Sequence, residues 1–143
     1  MDSRKLCPAG WHVPSDNEWT TLERAVCSSS TCNTDFPYDD PNYGLRGTDE
    51  GGKLKEAGIT HWNSPNTGAT NSSGFTALPG GSRNSIGEYD FIGSRGYWWS
   101  TTERYAAHVW NPALFYDNSA VARYDYDPDV GFSVRCLKST EKP

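Results

Sequence analysis

The sequence predicts an α+β fold, with helix early in the chain, short antiparallel strands late, and long loops between. Three observations carry this. Pro14-Ser15-Asp16-Asn17-Glu18-Trp19 has the form of a helix start. From Tyr97 onward the chain breaks into short alternating segments separated by turn residues. The 14 glycines and 9 prolines, with many Asn and Ser, leave little room for regular helix.

Taken in order, Ser15 is the N-cap and Glu18, three residues on, completes a capping box. Trp19, Leu22 and Val26 follow at helical spacing and are expected to face the core. The Cys27–Cys32 segment ends this helix. Thr34–Gly52 has no period and reads as a surface loop. Gly52-Lys53-Leu54-Lys55-Glu56-Ala57 suits a short helix or a strand, and we read it as helix. Ile59–Arg83 is nearly all turn residues, and a loop of that length is either ordered and functional or disordered. Phe75, Ala77 and Leu78 are expected to pin it down.

The late segments are Tyr97–Glu103, Ala107–Trp110, Ala113–Tyr116, Ala120–Tyr124 and Gly131–Leu137. Strand alternation puts Trp98 and Trp99 on opposite faces, one in the core and the other covering the loops or open to stack on a sugar. It puts Leu114, Tyr116, Val121 and Arg123 on one face and Ala113, Phe115, Ala120, Ala122 and Tyr124 on the other. Phe132, Val134 and Cys136 share a face in the last segment. A face of small and aromatic residues bordered by Asp and Asn has the character of a recognition surface.

Composition narrows the function. At 143 residues the chain is a single domain, and six Trp, eight Tyr and five Phe must supply much of the core. The net charge is −5 with no run of Lys or Arg, which argues against nucleic acid and anionic membrane partners. No stretch reaches the ~18 apolar residues of a spanning helix, so no direct membrane insertion is expected. Met1-Asp2-Ser3-Arg4-Lys5 lacks an apolar signal core. That leaves a cytoplasmic or phage-borne protein, or a start placed after a removed export signal.

Cysteine usage favours export. Four cysteines allow three pairings. Cys7 with Cys136 would tie the two ends together, and Cys27 with Cys32 would close a local loop. The alternative is four free thiols in a reducing compartment. The spacing fits no zinc site. Asp125-Tyr126-Asp127-Pro128-Asp129 invites a calcium reading, but the sixth and twelfth positions of an EF-hand loop would fall on Val130 and Cys136, which fails. No metal or cofactor is expected. His12 is read as structural, His61 as hydrogen-bonded within its loop, and His108 as part of the candidate surface.

Further motifs carry a family resemblance. Cys7-Pro8-Ala9-Gly10-Trp11-His12-Val13-Pro14-Ser15-Asp16-Asn17-Glu18-Trp19 resembles the opening signature of the Fibrobacter succinogenes major paralogous domain. Gly52-Lys53-Leu54-Lys55-Glu56, Gly68–Asn71, Gly74–Gly81, Gly96–Glu103 and Gly131–Cys136 continue the match in order. The resemblance implies a C-type-lectin-like fold with two helices, a small twisted, mostly antiparallel sheet, adjacent ends and long ordered loops. It also implies an exported or surface location in gut-type bacteria. Similar lectin-fold domains are variable proteins of diversity-generating retroelements, in which positions near the C-terminus are rewritten; the run 105–130 has that composition. A lectin-type calcium site is not expected, since Ser64-Pro65-Asn66 and Trp110-Asn111-Pro112 each lack a required carboxylate.

The resulting expectation is a non-catalytic domain that binds a protein or carbohydrate on a cell or phage-target surface. It would be secreted, at the cell surface or on a phage virion. The expected contact residues are Tyr105, His108, Trp110, Asn111, Phe115, Tyr124, Asp125, Tyr126 and Asp127. The competing readings are an enzyme on the same fold, either a formylglycine-generating-type thiol oxidase or a carbohydrate-active protein, and a purely structural module.

Overall fold

A computed structural model describes residues 6–140, so the reading of Met1–Lys5 lies outside the described residues. Helix α1 (Asp16–Val26) begins where the capping box requires: the Ser15 hydroxyl accepts the Glu18 N–H at 3.3 Å and the Ser15 N–H donates to the Glu18 carboxylate at 2.8 Å. Trp19 is buried, and Leu22 and Val26 pack at the core edge, as their spacing predicts. Two shorter helices follow, α2 (Cys32–Asp35) and α3 (Glu50–Leu54). The helix read at 52–57 therefore starts two residues earlier and ends sooner. Its two glycines are dictated by packing. A Cβ at Gly51 would stand 2.3 Å from the Ala120 carbonyl oxygen, and one at Gly52 2.2 Å from that of Gly68.

Among the described residues there are also nine strands: β1 (Trp11–His12), β2 (Gly44–Arg46), β3 (Ser82–Arg83), β4 (Tyr89–Asp90), β5 (Arg95–Tyr97), β6 (Glu103–Tyr105), β7 (His108–Phe115), β8 (Val121–Tyr126) and β9 (Leu137–Lys138). The main sheet is antiparallel in the order β2-β8-β7-β5, with β6 also paired to β7. In the β7–β8 register Asn111 faces Tyr124 and Ala113 faces Ala122. β3 and β4 form a hairpin, and β1 pairs with β9 so that the two ends lie side by side. Both cysteine pairs are closed, Cys7–Cys136 and Cys27–Cys32.

The predicted alternation divides the sheet as expected. Leu114 and Val121 join Trp19, Leu54, Trp62, Ala77 and Trp98 in the main core, with Phe75 packed against it. Ala113 and Ala122 lie on the opposite face with Tyr97, and Phe115, Tyr124, Tyr126 and Phe132 pack around them. Trp98 is the core member of its pair, while Trp99 is half-buried against Phe132 at 4.7 Å.

Several expectations are corrected. The loop read over Thr34–Gly52 contains β2, which pairs with β8; a three-residue strand carries no period of its own. The segments Ala107–Trp110 and Ala113–Tyr116 are one strand running through Pro112. That proline sits where the neighbour of β7 changes from β6 to β5, so a missing N–H is tolerated, and its carbonyl accepts from Trp98 at 3.2 Å. Leu78 points outward rather than anchoring its loop. Gly131–Leu137 is not a continuous strand: Gly131 and Ser133 form isolated bridges, and only Leu137 enters β9.

Charge is also buried. Arg123 donates to both Asp16 carboxylate oxygens, at 2.8 and 2.6 Å. Arg46 lies 2.5 Å from Glu23, and burial raises the Glu23 carboxyl to about 7 against the pull of Arg46 and Arg123. Lys55, without exposed surface, donates to the carbonyls of Thr67, Phe115 and Asn118, each at 2.9 Å. This tripod ties the long loop to the β7–β8 turn. Burial lowers the Lys55 ammonium to about 8, against the pull of the Asp117 carboxylate.

Candidate functional site

The nine expected contact residues do not share one surface. Consecutive strand residues alternate, so Tyr124, Asp125, Tyr126 and Asp127 cannot all face one ligand. Phe115, Tyr124 and Tyr126 lie on the aromatic face, each partly exposed. Their rings surround the buried Tyr97–Ala113–Ala122 floor, with Tyr126 edge-on to Tyr97 at 6.1 Å and Phe115 tilted against Tyr124 at 6.3 Å. Burial raises the Tyr126 phenol above its ordinary range, so it stays a neutral hydrogen-bonding group at physiological pH.

Asn111 belongs to the same face but is 0% exposed, and among the described residues neither its oxygen nor its nitrogen has a hydrogen-bond partner. It is not a surface contact. Trp110, 4% exposed, is the second correction. It lies on the opposite face beneath the Arg123 guanidinium, 3.4 Å from its ring centroid, with Arg104 at 4.8 Å. Its ring supports the Arg123–Asp16 pair and is spent on the fold.

His108 and Asp125 also lie on that opposite face. Asp125 accepts from Arg104 at 2.7 Å and meets His108 at 3.0 Å, so its carboxylate is already engaged. Tyr105, 54% exposed, stacks on His108 at 4.6 Å. Of the expected contacts, Tyr105 and Trp110 line a cleft of ≈ 400 Å³ with Asp39, Asp40 and Arg104. Asp127 falls beyond β8, where its side chain accepts the Asp129 N–H at 3.0 Å in a turn. Of the remaining histidines His12 behaves as read, whereas the partner of His61 lies just before its loop rather than within it. His12 bridges Glu18 and Ser139, and His61 meets Glu56 at 2.9 Å.

The aromatic face continues into a larger open groove, ≈ 600 Å³, which sequence reasoning missed apart from Phe115. Its lining includes Asn63, Phe91, Ser94, Arg95, Phe115 and Asp117. Arg95 opens β5 opposite Phe115 in register, and its guanidinium lies 4.1 Å from the Phe91 ring and 5.3 Å from that of Phe115. One signal was present in the sequence. Arg95 and Tyr97 alternate onto one face, so a lone arginine stood beside the aromatic cluster. Phe91 holds φ of 64°, a left-handed value that is unusual for a bulky residue. Its carbonyl accepts from the Ser94 and Arg95 N–H groups and fixes that turn.

The structure is thus a disulfide-closed α+β domain with a few short helices, antiparallel sheets, and partly exposed aromatic side chains on one sheet face. The profile of the Fibrobacter succinogenes major domain matches residues 1–138, and the chain belongs to that family. No curated protein and no solved structure matches it significantly.

Proposed function

We propose that this is a non-catalytic recognition module of the C-type-lectin-like type, carried by a secreted, surface or phage protein. It grips a protein or carbohydrate ligand with the aromatic sheet face. The observation that carries this reading is the set of partly exposed rings, Phe115, Tyr124 and Tyr126, held on a buried floor of Tyr97, Ala113 and Ala122. Rigid aromatic rings give large contact area at small rotamer cost. The floor prevents the face from collapsing when unoccupied.

The same geometry bears on use as a retroelement variable protein. Within 105–130, Trp110, Asn111, Leu114, Val121 and Arg123 are buried, so tolerated diversification would be confined to their exposed neighbours. Sibling sequences differing at Phe115, Tyr124 and Tyr126 but not at Leu114, Val121 and Arg123 would support that use. Bonding of Cys27 to Cys32 and Cys7 to Cys136 favours a binding role over thiol oxidase chemistry, which needs a reactive thiol.

The test uses the full chain. Ligands are found with a glycan array and a bacterial surface-protein extract, and Phe115→Ala, Tyr124→Ala and Tyr126→Ala are then compared with the parent. Each exposed anchor is expected to weaken binding by about 1–2 kcal/mol, roughly 5- to 30-fold. Unchanged affinity in all three variants with an intact fold refutes the assignment of this face.

A further inference from the structure

Arg95 is the least occupied of the partly buried or buried arginines. Arg46, Arg104 and Arg123 each face a carboxylate, and Arg24 gives Nε and Nη2 to backbone carbonyls. Among the described residues the Arg95 side chain makes one hydrogen bond, from Nη1 to the Tyr97 hydroxyl at 3.0 Å. Among the described residues, its Nε and Nη2 find no acceptor. Those two atoms form the side-on fork that receives a carboxylate through paired, charge-assisted bonds. The fork is also pre-oriented. Tyr97 fixes one nitrogen, and the phenyl rings of Phe91 and Phe115 lie against the guanidinium.

Around this cation the groove is mostly polar, with Asn63, Ser64, Ser94 and Asp117 on its walls and ≈ 600 Å³ of space. The Asn63 amide makes no side-chain hydrogen bond among the described residues. We infer that this groove binds a saccharide bearing a carboxylate, a uronic-acid-type ring, with that carboxylate on the Arg95 fork. A pyranose ring presents a C–H face that suits Phe115 and Phe91, and hydroxyls that suit Asn63, Ser94 and Asp117. An acidic peptide fits less well, because a second carboxylate would meet Asp117 within the same concavity. The proposal rests on the recognition reading above, whose face it extends, and it adds the ligand's chemistry.

The experiment is a calorimetric and amide-NMR titration of the full chain with an otherwise neutral oligosaccharide carrying a single glucuronic acid and with its carboxyl-reduced counterpart. The acidic form is expected to bind at least about tenfold more tightly, with the margin shrinking as salt rises. Arg95→Met is expected to erase the preference while thermal unfolding stays close to that of the parent. Arg95→Gln, which keeps a planar group between the rings, serves if Met disturbs the fold. Equal affinity for the two saccharides, binding of neither, an undiminished preference in the Arg95 variant, or tighter binding of a glutamate-rich hexapeptide each overturns the inference. Tyr124→Ala separates the two levels of interpretation. A ligand lost with Tyr124→Ala but indifferent to Arg95 removes only the carboxylate assignment. A ligand indifferent to both, and to Phe115→Ala and Tyr126→Ala, removes the recognition face as well.

Discussion

Asn111 offers a direct test of how the sheet is assembled. Its side chain is wholly buried in mid-strand opposite Tyr124, with Oδ1 and Nδ2 both unpartnered among the described residues. A buried polar group left without a partner costs about 1–3 kcal/mol, and this amide carries two. Asn111→Leu keeps the branch point and removes both groups, at some risk of crowding from the larger methyls. The net expectation is a gain of about 1–3 kcal/mol, or roughly 3–10 °C in a domain of this size. Differential scanning calorimetry and urea unfolding with both disulfides intact would read it. Asn111→Ala controls for crowding. It leaves a small cavity but still removes the unpaired amide, so it should fall within about 1 kcal/mol of the parent. If both variants unfold more than about 5 °C below the parent, the amide has a partner such as a buried water, and the reasoning fails.

Other perturbations test the buried charges and the cross-links. Glu23 holds its proton more tightly when folded, with a carboxyl raised by burial to about 7 from an ordinary value of 4.5. Stability should therefore be greatest below the ordinary value, fall as pH rises toward about 7, and level off above; Glu23→Gln should flatten that slope in a pH series of melting curves. The groups facing this carboxyl are Arg46, Arg123 and Asp16. Lys55→Met orphans three carbonyls and is expected to cost about 3–5 kcal/mol. Hydrogen exchange should then rise first in the β7–β8 turn and the loop near Thr67. Replacing Cys7 and Cys136 together by Ser should cost about 4–5 kcal/mol by loop entropy across a separation of 129 residues. Denaturant unfolding of the Cys7/Cys136 double variant against the parent checks this, and a loss under about 1 kcal/mol would refute it.

The parts of the fold encoded by neighbouring residues were legible in the sequence. The capping box fixed the start of α1, and alternation assigned Leu114 and Val121 to one face and Ala113 and Ala122 to the other. The cysteines suggested the pairing that the structure has, although free thiols remained an alternative. What escaped depends on distant partners. β2 is a strand only because β8 lies beside it, and Pro112 is tolerated only where β5 and β6 exchange places. Trp110 and Asn111 were read as surface residues because they stand in a run whose mix of aromatic and polar residues suits a contact face. The Arg123–Asp16 pair, which draws Trp110 inward, spans 107 residues. The groove was hidden for the same reason, since Phe91, Arg95 and Phe115 meet only when β5 pairs with β7.

The junction of the two ends has a mechanical consequence. Cys7 and Cys136 are covalently joined beside the short β1–β9 ladder. Tension arriving along the backbone from either direction would cross a sulfur–sulfur bond and leave the intervening chain, including the groove, unloaded. A pull applied between the two ends would therefore leave the aromatic face and the groove in their resting geometry.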